Sequence, residues 1–125
     1  MDSEVLERLD ILRNSDQIDA NEYEQTLYIL RYVEETYGVE VENEVGGMFA
    51  VHVAKALNRI HLGEAIDSTP DQVMESIKGL TEITNDMISL FQNITGLSEV
   101  PMGEINFAVL YINLLMEAKS EVEGR

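Results

Sequence analysis

The chain has 125 residues and carries 24 acidic against 8 basic side chains, a formal net charge of −16, with no cysteine. That length suits one domain with a continuous core, and the missing cysteines exclude a disulfide framework and a thiolate metal site. So acidic a surface repels phosphate backbones and anionic lipid, which argues against direct nucleic-acid or membrane binding; the charge serves solubility, or selects a basic protein partner.

The chain opens with the acidic stretch Met1-Asp2-Ser3-Glu4, and no apolar run approaches the ~20 residues that span a bilayer. A soluble cytoplasmic protein is the expectation. Periodicity predicts an all-α fold of five helices, a bundle of antiparallel pairs in a single domain over residues 1–125. The first helix runs from about Ser3 to Asn14, with Val5, Leu9 and Leu12 on one face and Leu6 beside them. Asn14-Ser15-Asp16 supplies turn chemistry.

The second helix begins after Asp19, which caps it while Glu22 closes a capping box. It carries Tyr23, Leu27, Leu30 and Val33, reaches Tyr37 and ends at Gly38. The third runs from about Glu42 to His61 across the weak pair Gly46-Gly47, and stops at Gly63. Phe49, Val53, Ala56, Leu57 and Ile60 fall on one face of it, with His52 and Arg59 along the edge of that face. Thr69-Pro70-Asp71-Gln72 reads as an N-cap followed by proline at the first helical position. The fourth helix then buries Val73, Ile77, Leu80, Met87 and Phe91 and stops before Gly96.

The last helix starts near Pro101 and is apolar around most of its circumference through Leu115. Such a helix is either central to the bundle or covered by a second subunit. Its charged end, residues 118–125, reads as a frayed tail. The methionines at 48, 74, 87, 102 and 116 read as core filler.

An edge histidine can be oriented by the core and still be reached from solvent, so His52 is the candidate for chemistry. A neutral imidazole nitrogen accepts a phosphoryl group without prior deprotonation. Lys55 and Arg59, three and seven residues on, are placed to hold phosphate oxygens. The alternative is a boundary histidine hydrogen-bonded to a neighbouring helix, with Lys55 and Arg59 in surface ion pairs. His61 lies about 180° from His52 on the same helix and cannot form an i, i+4 metal pair with it. A cation near a helix C-terminus is the simpler account of His61. The acidic pairs lack the pattern of a calcium loop, and no metal or cofactor is expected. Neither a nucleophile elbow nor a phosphate-cradling glycine loop occurs, so no enzyme activity is expected.

Two segments together resemble the bacterial phosphotransferase-system regulation domain, or PRD. The first is His52-Val53-Ala54-Lys55-Ala56-Leu57-Asn58-Arg59, and the second runs from Val100-Pro101 through Glu104 and Phe107 to Tyr111-Ile112. The five-helix layout extends the resemblance over nearly the whole chain. It implies a helical bundle of PRD type that often dimerises and is phosphorylated on histidine by sugar-transport phosphocarriers. His52 matches the first acceptor, Arg59 the arginine that follows it, and Glu104 the acidic residue opening the last helix. Tyr111 stands where the family has its second histidine, and Val51 occupies a position that is often acidic. The switch thus retains at most one of the two familiar acceptors.

PRDs usually occur in tandem beside an RNA-binding or DNA-binding output domain, whereas this chain has one copy. The resemblance therefore implies a stand-alone regulatory module of carbohydrate-linked transcription or transport, acting through protein contacts. Its expected partners are a phosphocarrier or sugar-transporter component, a full-length PRD regulator, or a second copy in a homodimer. The alternatives are a non-phosphorylated dimeric scaffold of the same fold, and a small enzyme or accessory subunit of a sugar pathway.

Overall fold

The computed structural model describes residues 1–124, and those residues form six helices with no strand: α1 Ser3–Asn14, α2 Ala20–Tyr37, α3 Asn43–Leu62, α4 Asp71–Ser76, α5 Thr81–Thr95 and α6 Met102–Glu123. Local chemistry fixes several of the ends. Asp2 caps α1 by accepting from the Val5 amide at 2.9 Å. At α2 the capping box is complete, the Glu22 amide donating to Asp19 at 2.7 Å and the Asp19 amide to Glu22 at 2.9 Å. Gly38, Gly63 and Gly96 end α2, α3 and α5 as expected.

The helix expected from Pro70 to Thr95 is instead two helices, so the bundle has six members rather than five. Gly79 sits between them at φ +86°, a conformation that breaks helical hydrogen bonding and that a residue with a Cβ rarely adopts. The apolar series hides this break. Ile77 is buried and Val73 and Leu80 are half-buried, so all three still face inward across the turn.

Helices α1 and α2 form a hairpin, with the Tyr23 hydroxyl donating to Asp10 at 2.8 Å and the Met1 nitrogen to Glu34 at 2.6 Å. Asn58 of α3 donates to Glu22, and Val41 just before α3 donates to Glu34, so α3 runs antiparallel to α2. It runs parallel to α1. Asp2 meets Asn43, Arg8 meets Glu44, and Gln17 beyond the end of α1 meets Lys55. Helix α6 returns antiparallel to α3, pairing Arg59 with Glu104 and Phe49 with Tyr111. Tyr32 and Tyr37 of α2 both donate to Asp86 of α5, the first at 2.6 Å.

One core joins these helices. Leu9, Ile29, Leu30, Phe49, Leu57, Met87, Phe91, Ile105 and Ile112 are wholly enclosed, each contributing roughly 1.5–3 kcal/mol by removal from water. Ile105, Ala108, Val109, Ile112 and Leu115 place the first half of α6 inside the bundle, against α3, α4 and α5. Its apolar circumference is thus largely used within the chain. Of the five methionines read as core filler only Met87 is buried; Met48, Met74, Met102 and Met116 are exposed, although the Met74 sulfur still accepts from Asn106 of α6 at 3.4 Å. Helix α6 continues through Glu123 where a frayed tail from residue 118 was expected; Arg125, the end of that tail, lies outside the described residues. Among the described residues no helix is long and apolar enough to cross a membrane.

Candidate functional site

His52 sits halfway along α3 on the side facing α6. Its ring lies 5.8 Å from the Phe107 ring and 5.7 Å from that of Tyr111, tilted against both. Its Nε2 is 3.0 Å from the Glu104 main-chain oxygen. A carbonyl oxygen only accepts, so Nε2 carries the hydrogen and Nδ1 presents the lone pair. Gln25 Oε1 is the only enclosed side-chain nitrogen or oxygen without a partner among the described residues. Nδ1 makes no hydrogen bond among the described residues. Burial holds the imidazole below its ordinary range; the Glu104 carbonyl and carboxylate oppose that shift, and Arg59 reinforces it.

Glu104 has no solvent exposure (0 %), while Arg59 is about one-quarter exposed at 26 %. Two parallel hydrogen bonds join them, Arg59 Nε to Oε2 at 2.7 Å and Nη2 to Oε1 at 2.8 Å. The Ile66 amide adds a third donor at 3.3 Å, and the Glu104 amide donates back to the Ile66 oxygen at 3.2 Å. Burial alone would raise the Glu104 carboxyl. The Arg59 hydrogen bonds, the Ile66 amide and the charges of Arg59 and His52 together outweigh it and hold the group below the usual carboxylate range. Gly103 makes this close approach feasible, because a Cβ there would stand 2.4 Å from the Ile66 oxygen and 2.6 Å from that of Ser68. One buried carboxylate thus ties α3, α6 and the connection from α3 to α4 together.

On the solvent side His52 opens into a depression of about 350 Å³, lined with it by Arg8, Val51, Lys55, Arg59 and Tyr111. Three of the chain's eight basic residues therefore gather around one imidazole. Lys55 donates to a neutral acceptor, Gln17 Oε1, at 2.9 Å. Arg8 is bound to Glu44 at 3.0 Å in an exposed pair of the kind that contributes little and re-forms readily. Sequence reasoning missed Arg8, which comes from a different helix. Its one signal was Gly47: an added Cβ there would lie 2.6 Å from the Arg8 guanidinium, so the glycine leaves the space that the arginine fills.

Of the residues singled out from the sequence, the structure brings together His52, Lys55, Arg59 and Tyr111 at the depression, with Glu104 behind it rather than in it. Tyr111 contributes its ring beside His52. His61 faces the other way, as its spacing required, but it is more than a cation at a helix end. Its Nδ1 lies 2.6 Å from the carboxylate of Glu22, which is only 2 % exposed and also accepts from the Asp19 amide and the Asn58 side chain. Glu22 thus serves as capping-box residue and interhelical anchor at once. No group of three or more His, Cys, Asp or Glu among the described residues is arranged to hold a metal ion.

Comparison with family models finds no match, and comparison with curated proteins and with solved structures finds none either. Function must therefore be argued from the residues themselves.

Proposed function

We propose that this chain is a regulatory module of PRD type, in which a phosphocarrier transfers a phosphoryl group to Nδ1 of His52. The supporting observation is His52, its Nε2 held by the Glu104 carbonyl and its side chain lining a depression with Arg8, Lys55 and Arg59, on a protein of net charge −16. A basic depression on an acidic body concentrates an anionic group where the rest of the surface repels it.

The transfer needs no base. The Nδ1 lone pair forms the new N–P bond as the carrier's own P–N bond breaks, while Nε2–H stays donated to the Glu104 carbonyl. The phosphoryl oxygens carry up to about two negative charges, beside an imidazolium that keeps its Nε2 proton. Those charges compete with the Glu104 carboxylate for the Arg59 guanidinium. If Arg59 turns outward, Glu104 is left enclosed with one amide donor, a state that costs about 3–5 kcal/mol when a buried pair is broken. Relaxation then falls on the Ile66–Ser68 connection and the start of α6, which rest on Glu104 and Gly103. A surface modification is thereby converted into a change in how α6 is held, and a partner can read that change.

The test is incubation with phosphoenolpyruvate, the general phosphotransfer enzyme and the phosphocarrier, with His52→Ala as control. Acid-labile label on the native chain alone is expected, and nitrogen NMR should place it on Nδ1. Absence of label, or equal label on the control, sinks the proposal. The packing of the His52 ring against Phe107 and Tyr111 favours a second reading, a binding domain of the same architecture in which His52 only joins α3 to α6. That reading requires partner binding that survives under phosphotransfer conditions unchanged.

A further inference from the structure

A second concavity, about 520 Å³ in volume, lies at the far end of α6, where its last turns meet the segment joining α2 to α3. Val45, Leu115, Ala118 and Val122 give it an apolar floor, and Val122 is 70 % exposed. Glu40, Glu42, Glu44 and Glu123 stand around it, Glu40 at 3.6 Å from the Met1 nitrogen and Glu44 bound to Arg8. Among the described residues Lys119 is the only cation lining it, and it is occupied, pairing with Glu123 at 3.6 Å and lying over Gly38 at the C-terminal end of α2.

We infer that this groove docks an amphipathic helix of a partner protein, one that presents aliphatic side chains to the floor and lysine or arginine to the glutamate rim. The volume accommodates several aliphatic side chains, as helix-in-groove recognition requires. The charge selects the occupant. A second copy of this chain would bring the same acidic rim against itself, since a two-fold contact matches a patch to its own image. Like charge so placed opposes that contact, whereas a basic helix meets a rim of net negative charge. The groove is built from residues distinct from those around His52, so the inference stands or falls independently of phosphorylation.

The probe is a synthetic peptide of about 18 residues, five helical turns, with leucine at i, i+3, i+4 and i+7 spacing and lysine elsewhere; a control of equal charge carries serine for leucine. Titration with methyl NMR should show saturable shifts of Val45, Leu115 and Val122, with affinity about tenfold lower for the serine peptide and for the Val122→Asp chain. Val122 is exposed, so this substitution leaves the fold intact; the double variant Glu40→Lys, Glu42→Lys should weaken binding similarly without touching the floor. Equal affinity of the two peptides, saturable shifts elsewhere on the surface, or Val122→Asp binding as well as the native chain would overturn the inference. So would self-association of the free protein that Val122→Asp abolishes, which would give the groove to a second copy.

Discussion

Replacing Arg59 with methionine keeps much of the packing of the stem and deletes the guanidinium. Glu104 is then left as a carboxylate with no exposure (0 %), its only remaining donor the Ile66 amide at 3.3 Å. Breaking a buried pair from one side costs about 3–5 kcal/mol. Arg59 is itself 26 % exposed, so water reaches that end of the pair and the lower figure applies. At the unfolding entropy usual per residue, a chain of 125 residues should lose roughly 11 °C in Tm. Urea unfolding followed by circular dichroism measures the free energy directly.

The pH dependence separates charge from packing. In the native chain the Glu104 carboxyl is held below its ordinary value, so its stabilisation is present above about pH 4.3 and is lost as pH falls through the folded value. In Arg59→Met burial is no longer outweighed by the guanidinium, and the carboxyl titrates above the ordinary value. The variant therefore recovers relative stability as pH falls, and the gap between the two chains narrows from about pH 7.5 to pH 5. The double variant Arg59→Met, Glu104→Met, with neither charge, should lie close to the native chain. A loss under about 1 kcal/mol, or one constant across the pH range, would refute the ionic account.

Two further outcomes follow from the same region. Gly103→Ala ought to gain about 1 kcal/mol from helix propensity alone, yet its Cβ meets the Ile66 and Ser68 oxygens at 2.4 and 2.6 Å; a net loss of about 2 kcal/mol by urea unfolding is expected, and a stabilised variant would contradict the close approach. Nitrogen-detected NMR should find His52 as the Nε2–H tautomer with a titration midpoint below the usual ~6.5, the direction that burial imposes. Because that folded value is depressed, the associated stability is present above the ordinary histidine value and is lost as pH falls through the folded one; a midpoint at or above the ordinary value would show that burial does not dominate.

The parts of the fold that were legible from the sequence are those whose cause is local. Asp19 and Glu22 announce their capping box within four residues, and Gly38, Gly63 and Gly96 stop their helices with no help from elsewhere. The division at Gly79 was missed because the inward series Val73, Ile77, Leu80 continues through it; the glycine itself was the available signal. His52, Lys55 and Arg59 were readable because one helix carries all three. Arg8 was not, since it reaches the depression only through the parallel packing of α1 on α3, and periodicity does not encode which helices become neighbours. Glu104 was singled out, but neither its complete burial nor the doubled hydrogen bond from Arg59 can be read from spacing along the chain. The same blindness applies to His61, whose buried partner Glu22 is already visible as a cap but lies 39 positions away.

The parallel alignment of α1 with α3 has a consequence for assembly. Helices α1, α2 and α3 are joined by short turns and α3 packs on both α1 and α2, so the three can collapse early, at small loop-closure cost. Helix α6 can dock on α3 only after some forty further residues have been threaded past it. Arg8, His52, Lys55 and Arg59 all belong to the early unit, whereas the carbonyl that fixes the His52 tautomer and the carboxylate that receives Arg59 arrive with α6. Before that docking the imidazole is free to carry its proton on either nitrogen. The protonated nitrogen of His52 is therefore a record of chain closure, and a spectroscopic reporter placed there would time the last long-range step of folding.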